Sequence, residues 1–201
     1  MVIGSRFFIK GNKDMKYILA SKSPRRKELI GQIVKDFEII TKEVDESLPS
    51  DIHPREGVEM LAVRKGAAVA NELDENCLVI SSDTLVEIGG VALGKPTDKA
   101  DAFGMLKLLS GKAHNVHTGV AVHYLGRVYS GVATTAVYFR EMTDSEINEY
   151  IDSGDPMDKA GSYGIQSGGG KFVEKIEGDY DTVVGLSVSL TKRLIDEAIN
   201  D

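Results

Sequence analysis

Two serines and two arginines crowd the junction between a short apolar run and a helix start, in Ser21-Lys22-Ser23-Pro24-Arg25-Arg26. Ser23 followed by Pro24 is a helix N-cap with proline at the first helical position. Such a terminus presents unpaired N–H groups and the positive end of the helix dipole, so it favours anions and disfavours cations. Arg25 and Arg26 carry the wrong charge for that place unless an anion balances them, and a planar guanidinium suits bidentate contact with phosphate. The segment reads as a polyphosphate site; the alternative is a solvated basic first turn. A second candidate is Asp83 in Ser81-Ser82-Asp83-Thr84, which follows an apolar strand. Open α/β sheets bind ligands beyond the carboxyl ends of their strands, so Asp83 is placed to hold a metal or act as general base, or else it is a turn-forming aspartate. Glu43-Val44-Asp45-Glu46 is a further acidic cluster directly after a strand, and Lys65 and Lys95 supply further cations. Taken alone, each lysine reads as a surface residue.

Other patterns fall away on inspection. Gly89 to Lys95 has the glycine and lysine spacing of a phosphate-binding P-loop. Pro96 stands where that motif needs Ser or Thr for magnesium, and the context is a hairpin instead of a strand, loop and helix. Gly168-Gly169-Gly170 is a flexible loop. His114 and His117, three apart in a strand, point to opposite faces and so do not share a metal. Cys77 lies in an apolar strand and reads as a small hydrophobe. The serines lack a nucleophile elbow.

The elements that must position these groups follow from periodicity and punctuation. Strands are expected at residues 17–20, 37–41, 77–81, 85–88, 91–93, 116–124, 128–140 and 172–176. Helices are expected from residue 23, over 57–73, over 98–109, from the capping box at Thr143 to Asp152, and from about 183 to 198. Gly89-Gly90 reads as a hairpin turn, and residues 161–170 as a glycine-rich loop. Mixed strands and helices in one stretch indicate an α/β or α+β domain with a mixed sheet.

Composition bounds the function. The 201 residues are 42% hydrophobic and 27% charged, with net charge −7 and one cysteine. One domain of that size buries a real core, and a lone cysteine rules out an internal disulfide framework and fits a reducing, cytoplasmic setting. No run approaches the roughly 18 apolar residues of a membrane span. The acidic balance argues against a nucleic-acid polymer as partner, since that binding is carried by excess Lys and Arg. Residues 1–14 look unlike the rest and do not read as a secretory signal, so they are taken as an extension, with the functional domain over 15–201.

Taken in order, the blocks carry a family likeness. Ser21-x-Ser-Pro-Arg-Arg26, the Glu43–Glu46 segment, Ser82-Asp-Thr84, Gly94-Lys-Pro96, Ser110-Gly111, Thr118-Gly119, Asp158-Lys-Ala-Gly-x-Tyr-Gly-Ile-Gln166 and Val183-Val-Gly-Leu186 resemble the Maf family of nucleoside triphosphate pyrophosphatases. The resemblance implies a two-lobed Maf/ITPase-like α/β fold with a central cleft, often dimeric and cytoplasmic. It also implies a divalent metal, Mg²⁺ or Mn²⁺, and cleavage of a nucleoside triphosphate to the monophosphate and pyrophosphate, a house-cleaning activity with a suggested link to cell division arrest. Carried over by position, Ser21, Arg25 and Arg26 match the phosphate-binding block, Asp83 the catalytic acceptor, Glu46 its acidic partner, and Lys65 and Lys95 the active-site lysines. Glu46 and Asp83 would bind the metal. Asp158 and Gln166 fall in the substrate-binding block, and Arg25, Thr84 and Gln166 resemble the branch that reads dTTP and UTP. The glutamine amide can both donate and accept toward a pyrimidine edge. Gly66 stands where the family usually has alanine, and Ser187 where it usually has proline. The rival readings are a pyrophosphatase for 7-methyl-GTP or deaminated purine triphosphates, and a nucleotide-binding regulator of septation.

Overall fold

A computed structural model describes residues 15–201, so the expected extension over residues 1–14 lies outside the described residues. In chain order the elements are β1 (Lys16–Leu19), α1 (Pro24–Ile30), β2 (Glu38–Ile39), α2 (Pro54–Ala70), β3 (Cys77–Ile88), β4 (Val91–Leu93) and α3 (Lys99–Leu109). They continue with β5 (Ala113–Tyr124), β6 (Arg127–Phe139), α4 (Asp144–Asp152), β7 (Val173–Glu177), α5 (Tyr180–Val184) and α6 (Val188–Asn200). The seven strands among the described residues form one mixed α/β sheet in the order β2-β1-β3-β5-β6-β7, with β4 paired to β3. β1 runs parallel to β2 and β3, and the remaining pairings are antiparallel.

Local signals account for most boundaries. The Ser23 hydroxyl accepts from Arg26 N, and Pro24 opens α1. The Thr143 and Glu146 side chains form the reciprocal capping box of α4. Gly89 and Gly90 take positive φ between β3 and β4, as a tight hairpin requires. Four expectations need correction. Gly168-Gly169-Gly170 is not a flexible loop but opens the 3-10 helix Gly168–Phe172, with Gly169 buried. The strand expected over 37–41 is confined to Glu38–Ile39, an exposed pair at the sheet edge. The two strands expected on either side of Ser82–Thr84 are one strand, β3, because β5 pairs continuously from Val79 to Glu87. The closing helix is two helices: Gly185 takes φ +127 and ends α5, and the Ser187 hydroxyl accepts from Leu190 N to start α6. Ser187, where the resembled family usually has proline, thus works as an N-cap.

One sheet face carries two apolar clusters with a polar belt between them. Leu19, Ile80, Val120, Val122, Leu186 and Leu194 belong to the first, which α1 and α6 cover. Val86, Val116, Val137, Leu106, Ile147 and Phe172 belong to the second, under α3 and α4. Along β3 the residues of this face alternate as Ile80, Ser82, Thr84, Val86, so the polar pair falls where the clusters part. The opposite face receives α2, whose Val58, Leu61, Ala62 and Val69 are buried at helical spacing.

His114 and His117 do point to opposite faces. His114 packs against Phe139 and Tyr163 in the second cluster, with Nε2 at 2.8 Å from the Tyr163 hydroxyl. His117 faces Glu87 and Thr134 on the α2 side. Burial pushes the His114 imidazole from 6.5 down to about 4. The unfolded chain therefore takes up this proton first as pH falls. The contribution is complete above about pH 6.5 and disappears through about pH 4, at roughly 3 kcal/mol. Urea unfolding is expected to show stability falling between pH 7 and pH 4.5, with a shallower fall in His114→Asn; an unchanged slope in that variant would remove His114 from this account.

Candidate active site

The site grows out of a gap along one edge of β3. β1 pairs with β3 only as far as Leu19 opposite Ile80, and β4 begins pairing at Leu93 opposite Val86. Neither covers the edge between, where Ser82, Asp83 and Thr84 lie. The chain leaving β1 delivers Ser21 and α1 into that gap, and the chain leaving β4 delivers Gly94 and Lys95. Asp83 is therefore not at the end of its own strand, as the sequence suggests. It lies beyond the carboxyl end of the parallel neighbour β1, so the ligand rule for parallel strands applies to β1.

Asp83 projects toward α2. Its Oδ1 accepts from Lys65 Nζ at 2.6 Å, and the same ammonium stands 2.9 Å from Glu46 Oε1. The side chain of Asp83 is 11% exposed and that of Glu46 59%, so the pair opens from a buried carboxylate toward solvent. Glu46 is held indirectly. Arg64, one residue before Lys65, donates to the carbonyls of Asp45 and Ser47 on either side of it, and the Asp45 carboxylate accepts from Ser47 N and Oγ. These hydrogen bonds from Ser47 lower the Asp45 carboxyl below its ordinary value.

Arg26 is on the far side of the gap. Its Nε donates to Gly185 O at 2.8 Å, Nη2 to Thr84 Oγ1 at 3.2 Å and Nη1 to Ser21 Oγ at 3.5 Å. Burial draws the guanidinium below its ordinary value, and the Asp83 carboxylate works against that shift. Ser82 Oγ also donates to Gly185 O, at 3.0 Å, and Thr84 Oγ1 lies 3.1 Å from Thr118 Oγ1. The break between α5 and α6 is thus what frees the Gly185 carbonyl to receive both side chains, a role the periodicity of a continuous helix conceals. Arg25 faces across the cleft to Asp158, with Nη1 3.8 Å from Oδ2.

Lys95 is exposed, and Gly161 N donates to the carbonyl of its neighbour Gly94 at 3.0 Å, which seats the segment carrying Asp158 and Gln166 beside the gap. Gln166 is exposed on that segment. The structure thus joins Lys65, Asp83 and Glu46 in one contact set, Ser21, Arg26 and Thr84 in a second, and Arg25 with Asp158 in a third. It gives Lys95 and Gln166 no hydrogen bond or ion pair with any of these. Thr118, Gly185 and Arg64 add to the site; of these, Arg64 carried no signal, because a lysine or arginine on a helix reads as a solvated face.

The departure at Gly66 also has a local reason. A Cβ there would stand 2.5 Å from the His123 ring and from Ser81 Oγ. Buried His123 fills the space that an alanine methyl would occupy, directly beside Lys65.

Glu46 and Asp83 both meet the Lys65 ammonium and are the carboxylates that could hold a divalent cation here. Among the described residues no group of three or more His, Cys, Asp or Glu could hold a metal. Two carboxylates with phosphate oxygens and water completing the shell are what Mg²⁺ takes, and hard oxygen donors suit Mn²⁺ as well.

The Maf-like protein family model matches residues 16–198. A dTTP/UTP pyrophosphatase of Bacillus pumilus is 45% identical over 179 residues, 89% of this chain and 94% of that protein. A dTTP/UTP pyrophosphatase of Thermococcus kodakarensis is 45% identical over 177 residues, 88% of this chain and 94% of that protein. Among solved structures, the Ham1 protein of Staphylococcus aureus aligns with TM-score 0.47 at 16% identity, covering 62% of this chain and 71% of that one. No helix among the described residues is long and apolar enough to cross a membrane.

Proposed function

The chain belongs to the Maf-like protein family, and from that premise we propose that it hydrolyses nucleoside triphosphates, dTTP and UTP foremost, to the monophosphate and pyrophosphate. The observation that carries the reading is the meeting of the Glu46 and Asp83 carboxylates at Lys65 Nζ, across the β3 edge from the Arg26 guanidinium. Carboxylates for a cation and cations for a polyphosphate are the two halves such a reaction needs.

In this reading Asp83 and Glu46 hold Mg²⁺ or Mn²⁺. When bound, the ion supplies charge neutralisation at the phosphate oxygens and eases deprotonation of water. Asp83 accepts the proton of the attacking water as its oxygen bonds to the α-phosphorus. The bond from that phosphorus to the bridging oxygen breaks, and pyrophosphate leaves with the electron pair. Arg25, Arg26, Lys65 and Lys95 offset the charge of the triphosphate and of the leaving group, and Ser21 donates to a phosphate oxygen. Arg25 must exchange its contact with Asp158 for phosphate, which the 3.8 Å separation and the exposure of Asp158 make cheap. Thr84 and Gln166 lie toward the nucleoside end, and the functional domain is residues 15–201.

Pyrophosphate release from dTTP, UTP, 7-methyl-GTP and ITP tests this. Release is expected with dTTP and UTP in Mg²⁺ or Mn²⁺ and is expected to stop on chelation with EDTA. Tight nucleotide binding without turnover under any of these conditions would replace the enzyme with a nucleotide sensor.

A further inference from the structure

Gln166 sits on a turn tied down at both ends. Ser167 N donates to Gly164 O at 3.2 Å, which closes the turn Gly164-Ile165-Gln166-Ser167 with Gln166 in its third position. At the leading end, Gly164 N donates to the Tyr150 hydroxyl at 3.1 Å. At the trailing end, Ser167 Oγ donates to Asp155 Oδ2 at 2.7 Å. The two ends share a hub, because Tyr150 donates its own hydroxyl proton to the same Asp155 oxygen at 2.6 Å. Lys159 Nζ stands 3.1 Å from the other oxygen, Asp155 Oδ1, and its stem lies over Gly164, where a Cβ would meet it at 2.5 Å. Tyr150 is 2% exposed and packs edge-on against Phe172. Ile165 points into both apolar clusters. Ile165 is held by packing and Ser167 by Asp155, which leaves Gln166 as the exposed amide of a fixed turn.

Fixing matters because a glutamine amide is ambivalent. Uracil offers an acceptor at O4 and a donor at N3, and cytosine offers the reverse. Rotated by half a turn, the amide would suit cytosine as well as uracil. Selection therefore depends on where the glutamine meets the base, and the hydrogen bonds at Gly164 N and at the Ser167 hydroxyl fix the turn that carries it.

We propose that Asp155, acting with Tyr150, is a positioning residue for nucleobase selection, fixing the turn that brings the Gln166 amide to a uracil or thymine edge. The inference rests on the reading of Gln166 as the base contact. Asp155 reaches the phosphate site only indirectly, through Lys159 and the exposed Asp158 that faces Arg25, so its loss should alter base choice more than turnover.

The test is steady-state hydrolysis of UTP and CTP by the full chain and by Asp155→Asn, Tyr150→Phe and Gln166→Ala, with thermal unfolding of each. Wild type is expected to favour UTP, and Gln166→Ala to erase that preference. Asp155→Asn and Tyr150→Phe are expected to lower the UTP to CTP ratio of kcat/KM by about tenfold, mainly by raising KM for UTP with kcat less affected. If Asp155→Asn proves too unstable, Tyr150→Phe decides, since it removes one oxygen. Equal losses on both nucleotides, or an unchanged ratio beside a Gln166→Ala that loses it, overturn the inference and leave the base contact standing. A wild type without preference, or a Gln166→Ala that keeps it, overturns the base contact and the inference together.

Discussion

Asp83→Asn is expected to lower pyrophosphate release by about a hundredfold to ten-thousandfold while nucleotide binding stays measurable. The substitution preserves size and leaves an oxygen that can still accept from Lys65 at the present 2.6 Å. What it removes is charge. Without it the pair with Glu46 is a weaker holder of a divalent cation, and the attacking water loses its proton acceptor. Binding survives because the groups that meet the triphosphate, Arg25, Arg26, Lys65 and Lys95, are untouched. Folding should survive as well. Removing one partner of a buried ion pair costs about 3–5 kcal/mol when the other charge is left alone, but Lys65 keeps Glu46 at 2.9 Å and is 18% exposed. Two measurements check this: pyrophosphate release under saturating metal, and calorimetric titration with a nucleotide whose α,β-bridge cannot be cleaved. Full activity in Asp83→Asn would sink the assignment of Asp83. Loss of binding along with activity would move Asp83 from the chemistry to the architecture of the cleft.

Much of this site is legible in the chain because its anchors are local. Ser23 and Pro24 announce the start of α1, and Arg25 and Arg26 are conspicuous there because they have the wrong sign for a helix N-terminus. Thr143 and Glu146 mark α4 in the same local way. What escapes the sequence depends on partners far away along the chain. Ser82 and Thr84 read as the end of a strand because polar residues interrupt an apolar run. In the fold they are mid-strand, and their hydroxyls meet the Gly185 carbonyl and Thr118. A periodicity reading runs a single helix through Gly185, since the apolar spacing of α5 and α6 continues across it. The carbonyl that Arg26 needs is exposed by that break. Asp155 is equally silent in sequence: an aspartate beside a proline reads as turn punctuation, whereas here it joins Tyr150 to Ser167 across the Gln166 turn.

Gly119→Ala is the substitution expected to do most damage outside the chemical groups. Gly119 pairs with Asp83 across β3 and β5, and its missing side chain faces α2. A Cβ there would stand 2.4 Å from the carbonyl oxygen of Val58, 2.8 Å from its carbon and 2.9 Å from Glu59 N. All three atoms are backbone within a helix, so no rotamer change relieves the contact. Its φ lies outside the positive region, so the requirement is for space alone. α2 must lift from the sheet, and overpacking of this kind costs about 1–3 kcal/mol or more. Lift also has a functional consequence, because α2 carries Lys65 and Arg64. Moving it opens the Lys65 to Asp83 contact and shifts Glu46, which Arg64 holds by the neighbouring carbonyls. Gly119→Ala should therefore lose stability in urea unfolding and lose turnover even under conditions where it remains folded. The contrast is Gly104→Ala on α3, where a Cβ meets nothing within 4 Å. Replacing glycine by alanine inside a helix is favourable by up to about 1 kcal/mol, so that variant should be at least as stable as the parent and equally active. Equal behaviour of the two variants would mean that α2 yields without cost, and that the close approach at Gly119 does not set the geometry of the site.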